Sequence, residues 1–160
     1  EYVAGLVGGI SGPWLALFPA VVFIVGAFLA FATGTSWGTF GILIPIVVST
    51  FSGTNHTMMI ISISACMAGA VCGDHCSPIS DTTIMASAGA QCSHINHVST
   101  QLPYVLVVAV VSCITYIIAG FVQSPVLPLI IGIVLMVGTL FGIKYLMKNI
   151  AVRDKKHKVQ

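Results

Sequence analysis

The chain has 160 residues, of which 57% are hydrophobic and only 6% are charged, with a formal net charge of +2. Soluble domains carry about 25% charged residues, so this composition excludes a soluble surface and predicts an all-α integral membrane protein. All six basic residues (Lys144, Lys148, Arg153, Lys155, Lys156, Lys158) fall at the C-terminal end, while Tyr2 to Gly73 and Thr82 to Ile143 contain no Asp, Glu, Lys or Arg.

Glycine and proline divide the apolar sequence into segments. After a glycine-rich lead-in (Gly5, Gly8, Gly9, Gly12), Pro13 suits a helix start, and a first helix is predicted over 14–32. The run Thr33-Gly34-Thr35-Ser36-Trp37-Gly38-Thr39 interrupts it, and a short apolar helix follows at 40–51, too short to span alone. Residues 52–55 form a turn, and 56–73 is the next helix. The polar, proline-containing stretch Asp74-His75-Cys76-Ser77-Pro78-Ile79-Ser80-Asp81 breaks the chain again before a short helix at 82–90. Residues 91–101 read as an aqueous loop, 102–122 as a clean span and 126–147 as the last one. A membrane domain over 1–143 and a basic tail over 148–160 result. The positive-inside rule places that tail in the cytoplasm; counting back puts 91–101 inside and 123–125 outside. Ser64, Ala65, Ala68, Gly69 and Ala70 predict close helix packing.

The chain begins with Glu1 and carries no recognisable signal peptide, so it is expected to be a portion of a longer protein. Five cysteines (Cys66, Cys72, Cys76, Cys92, Cys113) scattered through apolar sequence argue against a disulfide framework. The basic tail abuts an apolar segment, which fits a membrane anchor better than a nucleic-acid site. No cofactor is expected.

Asp74 and Asp81 are the two acids between residues 2 and 143, and both fall in one interruption. Acids inside membrane segments cost a few kcal/mol and mark ion or proton pathways. Asp74 follows a predicted helix C-terminus, where an anion is unfavourable unless protonated or sharing a cation. Asp81 precedes a helix, where a carboxylate caps free amides. Ser77, Ser80, Thr82 and Thr83 offer hard oxygen ligands, and Pro78 prevents one continuous helix. His75 is a candidate proton partner or simply a polar residue facing water. The first interruption adds Thr33, Thr35 and Ser36, with Gly34 and Gly38 as breakers, just as Gly73 and Pro78 serve the second. Paired interruptions point to a transporter site where broken helices meet; the bland alternative is a packing kink. The Cys72-to-Cys76 segment does not match a zinc spacing, so no metal beyond a transported Na⁺ is expected.

Ala32-Thr-Gly-Thr-Ser-Trp-Gly-Thr39 and Gly73-Asp-His-Cys-Ser-Pro-Ile-Ser-Asp-Thr-Thr83 resemble the NhaC-type Na⁺/H⁺ antiporter family of the ion-transporter superfamily, to which malate/lactate antiporters are related. The resemblance covers about residues 14 to 122. It implies one half of an inverted-repeat transporter, a multi-span helical bundle with a re-entrant hairpin (14–51) and a broken helix, the other repeat lying in a missing N-terminal part. It implies exchange of Na⁺ for H⁺ by alternating access, cation and proton competing for Asp74 and Asp81 in a multi-pass cell-membrane protein. The expected partners are Na⁺, H⁺, the lipid bilayer, the N-terminal remainder and a possible second copy of the chain. Na⁺-coupled transport of an organic anion is the alternative, weakened by the lack of Arg or Lys in the membrane part. An intramembrane enzyme using Ser77 or Ser80 with His75 lacks a nucleophile motif, and a purely structural subunit does not need two acids in one break.

Overall fold

A computed structural model describes residues 12–53, 55–124 and 126–157, with side chains for 14–53, 55–124 and 126–145. The lead-in up to residue 11, Thr54 and Pro125 in the two predicted turns, and the side chains of the basic tail beyond Tyr145 lie outside the described residues.

Among the described residues the chain consists of helices joined by short links, with no strand. A 3₁₀ turn, Gly12–Leu17, leads into α1 (Phe18–Thr33), followed by α2 (Ser36–Phe51), α3 (His56–Cys76), α4 (Asp81–Gly89), α5 (His94–Val122) and α6 (Val126–His157). Four stretches are long and apolar enough to cross a membrane: Trp14–Thr33, His56–Cys76, His94–Val122 and Val126–Tyr145. The protein is a membrane helical bundle.

Local chemistry explains the ends. Pro19 sits in the first turn of α1, where its missing N–H is no loss. Gly34 ends α1 in the left-handed region (φ +70°), its N–H donating to the Ala30 carbonyl at 2.8 Å. Thr35 caps α2 and Asn55 caps α3, each side-chain oxygen accepting a backbone N–H from three residues ahead (Gly38 at 3.5 Å, Met58 at 3.1 Å).

Several boundaries differ from the sequence reading. The helix after the first break starts at Ser36, not residue 40, and α3 runs on to Cys76, so Asp74 lies in its last turn rather than after it. The expected loop at 91–101 shrinks to a short link, because α5 already starts at His94. The last helix continues through the basic segment to His157.

α1 and α2 form an antiparallel hairpin. The rings of Phe18, at the start of α1, and Phe51, at the end of α2, meet edge to face at 5.1 Å, and a Cβ at Gly26 would lie 3.6 Å from the Leu43 side chain. α2 has 16 residues, about 24 Å of helix, short of the roughly 30 Å hydrocarbon core. The apolar stretch made by α1 and part of the turn before it, Trp14–Thr33, reaches 20 residues.

The most extensive packing joins α1 to α3. A Cβ at Gly26 would lie 3.2 Å from the Cys66 carbonyl, and Cβ atoms at Gly69 and Gly73 would collide with the carbonyls of Phe23 and Ala27. Lipid offers no hydrophobic drive for helix association, so contact at backbone distance is what holds such helices together. Val22, Leu43, Val47, Phe51, Met58 and Cys66 make the buried apolar cluster beside this seam. α5 packs on α1 and α3, whereas α6 touches α5 alone among the described elements.

Candidate cation site

The two predicted interruptions meet in space. Ser77, just past the end of α3, is fully buried and donates from Oγ to the Phe31 carbonyl in the last turn of α1, at 2.7 Å. The same Oγ accepts the Ile79 N–H at 3.4 Å. A Cβ at Gly34 would stand 2.8 Å from the Ile79 carbonyl, so the first break lies directly against the second. The absence of a side chain at Gly34 permits both this approach and its positive φ.

Asp74 sits beside this junction. It is 8% exposed, and its Oδ1 is buried without a hydrogen-bond partner. The backbone carbonyls around it are occupied: that of Asp74 accepts the Ser77 N–H at 3.1 Å, and that of His75 accepts Gln101 Nε2 at 3.0 Å and Thr83 Oγ1 at 3.5 Å. A buried carboxylate at a helix C-terminus, facing the negative end of the dipole, needs a proton or a cation. The arrangement supplies the demand for positive charge.

Asp81 differs. It is exposed, is the first residue of α4 rather than the residue before it, and its Oδ1 accepts the Thr82 N–H at 3.1 Å. Ser80 takes the cap position and is fully buried; its Oγ lies 2.7 Å from Thr82 Oγ1. Thr82 is exposed and Thr83 buried. In the first break, Thr33 is exposed and its hydroxyl donates back to the Leu29 carbonyl at 2.8 Å. Thr35 is half-buried as the cap of α2, Ser36 is buried, and Gly38 lies on the exposed side of α2. Gly73 is where α3 touches Ala27. Pro78 is exposed, its carbonyl taken by the His94 ring. The His75 ring is exposed and lines a side cavity of about 580 Å³ with Cys72, Gln101 and Tyr104. Ser77 thus binds the two breaks together, and Asp74 alone of the two acids is buried.

A profile of the Na⁺/H⁺ antiporter family matches residues 1–121. The chain belongs to that family. A Haemophilus influenzae protein described only as uncharacterized is 46% identical over 144 residues, 90% of this chain and 27% of its own length. The malate-2H⁺/Na⁺-lactate antiporter of Bacillus subtilis is 27% identical across 74% of this chain and 29% of that protein. The arginine/ornithine antiporter of Halobacterium salinarum is 34% identical across 68% of this chain and 23% of that protein. The chain therefore spans about a quarter of the length of the curated relatives it matches. No solved structure matches it.

Within this antiporter-family chain, sequence reasoning gave no site role to three polar residues. Gln101 and His94 fall in the polar stretch read as a loop, yet both sit on α5 and reach back to the second break. Thr39 is 2% exposed and donates to the Thr35 carbonyl at 3.0 Å, closing the first break from within. Its place in the Thr/Ser cluster was the available signal; for Gln101 and His94, lone polar residues in a polar run, there was none.

Proposed function

We propose that the chain forms part of a secondary antiporter exchanging Na⁺ for H⁺, with Asp74 as the group the two cations share. The observation that carries this is the buried, unpartnered Asp74 oxygen at the junction of two helix breaks. Binding Na⁺ removes the need for a proton, and binding a proton removes the need for Na⁺, so each lowers the affinity for the other. Oxygens of Ser77, Ser80, Thr82, Thr83, Thr33, Thr35 and Ser36 are the candidate remaining ligands, with His75 as a candidate proton partner. Asp81, exposed at the start of α4, acts at the mouth by drawing cations in. Segments beyond this chain, corresponding to the rest of the relatives' length, complete the site and alternate its access. The basic end of α6 is assigned to the cytoplasmic side of the cell membrane.

The family assignment supports this reading, as does the function for which the Bacillus subtilis relative is named. That relative is also named for the organic anions malate and lactate, which supports a second reading: organic-anion exchange coupled to Na⁺ at the same carboxylate.

The test is Na⁺-driven proton flux in proteoliposomes, read with an internal pH dye. Asp74→Asn is expected to lose it, because the amide cannot exchange a proton or balance a cation's charge. Undiminished flux in Asp74→Asn would sink the proposal. Inhibition of flux by malate or lactate on one side would favour the second reading.

A further inference from the structure

His94 opens α5, and its ring reaches back to two earlier elements. Nε2 lies 2.7 Å from the Pro78 carbonyl in the link between α3 and α4. Nδ1 lies 3.0 Å from Ser87 Oγ on α4. A carbonyl oxygen only accepts, so Nε2 carries a hydrogen. Ser87 has one hydroxyl proton and two acceptors in reach: Nδ1, and the Ile84 carbonyl at 2.8 Å.

Counting protons separates the two charge states of the ring. When it is neutral, the Ser87 proton serves Ile84 or Nδ1, and the other contact goes unmade. When both nitrogens are protonated, Nδ1–H donates to Ser87 Oγ, Ser87 donates to Ile84, and Nε2–H donates to Pro78 with the added strength of a charged donor. Every group in the chain of contacts is then satisfied. The recess around the ring is lined by Pro78, Ile79, Ile84, Ser87, Ala88 and Cys92. Of these only Cys92 titrates, and no acid or other base among the described residues lines the recess. Asp81, at the far end of α4, is engaged with Thr82, and His97 lies one turn further along α5.

We infer that His94 is a positioning residue: a proton-dependent clamp on the Pro78 carbonyl that holds the link between α3 and α4 in place. Pro78 directly follows Ser77, the residue that ties this link to α1 beside Asp74. Proton uptake strengthens the bond to Pro78; proton loss keeps that bond, now from a neutral donor, and leaves one contact of Ser87 unmade. Imidazole is the side chain that ordinarily changes charge between about pH 5 and 8, the range in which an exchanger of protons works. The consequence for transport rests on the antiport reading; the clamp itself does not.

Two measurements on the full protein test it. In ¹⁵N-histidine-labelled protein in nanodiscs, His94 is assigned by the loss of its signals in His94→Gln. Neutral His94 is expected in the Nε2–H form, with Ser87→Ala moving the Nδ1 signal. A neutral Nδ1–H form, or an Nδ1 signal that Ser87→Ala leaves unmoved, overturns the clamp. In proteoliposomes, the apparent KM for Na⁺ is compared at about pH 6 and about pH 8. His94→Gln keeps one donor for Pro78 but cannot gain a proton, so its pH dependence is expected to shrink by about fivefold, the worth of one net hydrogen bond, with kcat retained. His94→Gln with the wild-type profile overturns the inference, since a merely structural histidine predicts that outcome. Should Asp74→Asn leave flux intact and defeat the antiport reading, the spectroscopic arm still decides the clamp.

Discussion

Asp74 and Asp81 share a sequence motif but not an environment, and the difference sets what each can do. Asp74 is buried with an unsatisfied oxygen, whereas Asp81 is exposed and bonded to its neighbour's amide. Replacing Asp74 by Asn removes the exchangeable charge, so Na⁺-driven flux is expected to fall by about 100-fold or more, the scale of losing a charge-assisted interaction. Asp81→Asn is expected to act through local cation concentration, raising apparent KM about two- to tenfold at low salt while leaving kcat in place, and less so at high ionic strength. Steady-state flux against Na⁺ concentration at two salt levels separates these outcomes. Equal loss of kcat in both variants would show that the carboxylates act as a pair. Ser77→Ala removes the bond to the Phe31 carbonyl and leaves that carbonyl unsatisfied, with an expected loss of about 1–3 kcal/mol of stability. Thermal unfolding in detergent reads it.

At the scale of elements, both helix breaks were legible, because glycine, proline and hydroxyl residues interrupt apolar sequence for backbone reasons that hold in any surrounding. Gly34 is the clearest case: its positive φ and its contact with Ile79 both exclude a side chain. Gly34→Ala is therefore expected to destabilise the chain by about 1–3 kcal/mol and to force the two breaks apart, lowering the unfolding temperature and flux together. Gly73→Ala, which drives a Cβ into the Ala27 carbonyl, is expected to separate α1 from α3 with a comparable loss. The start of α5 was not legible. Hydropathy measures partition into lipid, and His94, Asn96, His97 and Gln101 score as water-facing whether helical or not. What makes 94–101 helical is tertiary: His94 is tied to Pro78 and Ser87, and Gln101 to the His75 carbonyl. The same blindness ended α3 too early, since Asp74-His75-Cys76 reads as polar although its backbone closes the last turn onto Ser77. The two breaks that meet at the candidate site were consequently legible as motifs, while the unequal burial of Asp74 and Asp81 required the packing.

For the whole molecule, the unequal covering of the spans says where the chain meets lipid or further protein. The hairpin and α3 share a tight seam, but among the described residues α6 rests on α5 alone, with Gly132 against Thr115 and most of its apolar surface exposed. Val134, 64% exposed near the middle of Val126–Tyr145, lies on that open surface, and Tyr145, 67% exposed, marks its end. A lysine at the centre of a spanning helix costs about 3 kcal/mol on insertion scales, which is roughly a hundredfold in the inserted fraction. Near the end of a span the ammonium snorkels to the interface at little cost. Val134→Lys is therefore expected to reduce membrane insertion of α6 sharply, and Tyr145→Lys, beside Lys144, to leave it nearly unchanged. Glycosylation mapping of loops on either side of α6 gives the inserted fraction directly. Equal tolerance of both substitutions would mean that the exposed face of α6 lines water rather than apolar surroundings, and that the last helix belongs to the transport path instead of the periphery.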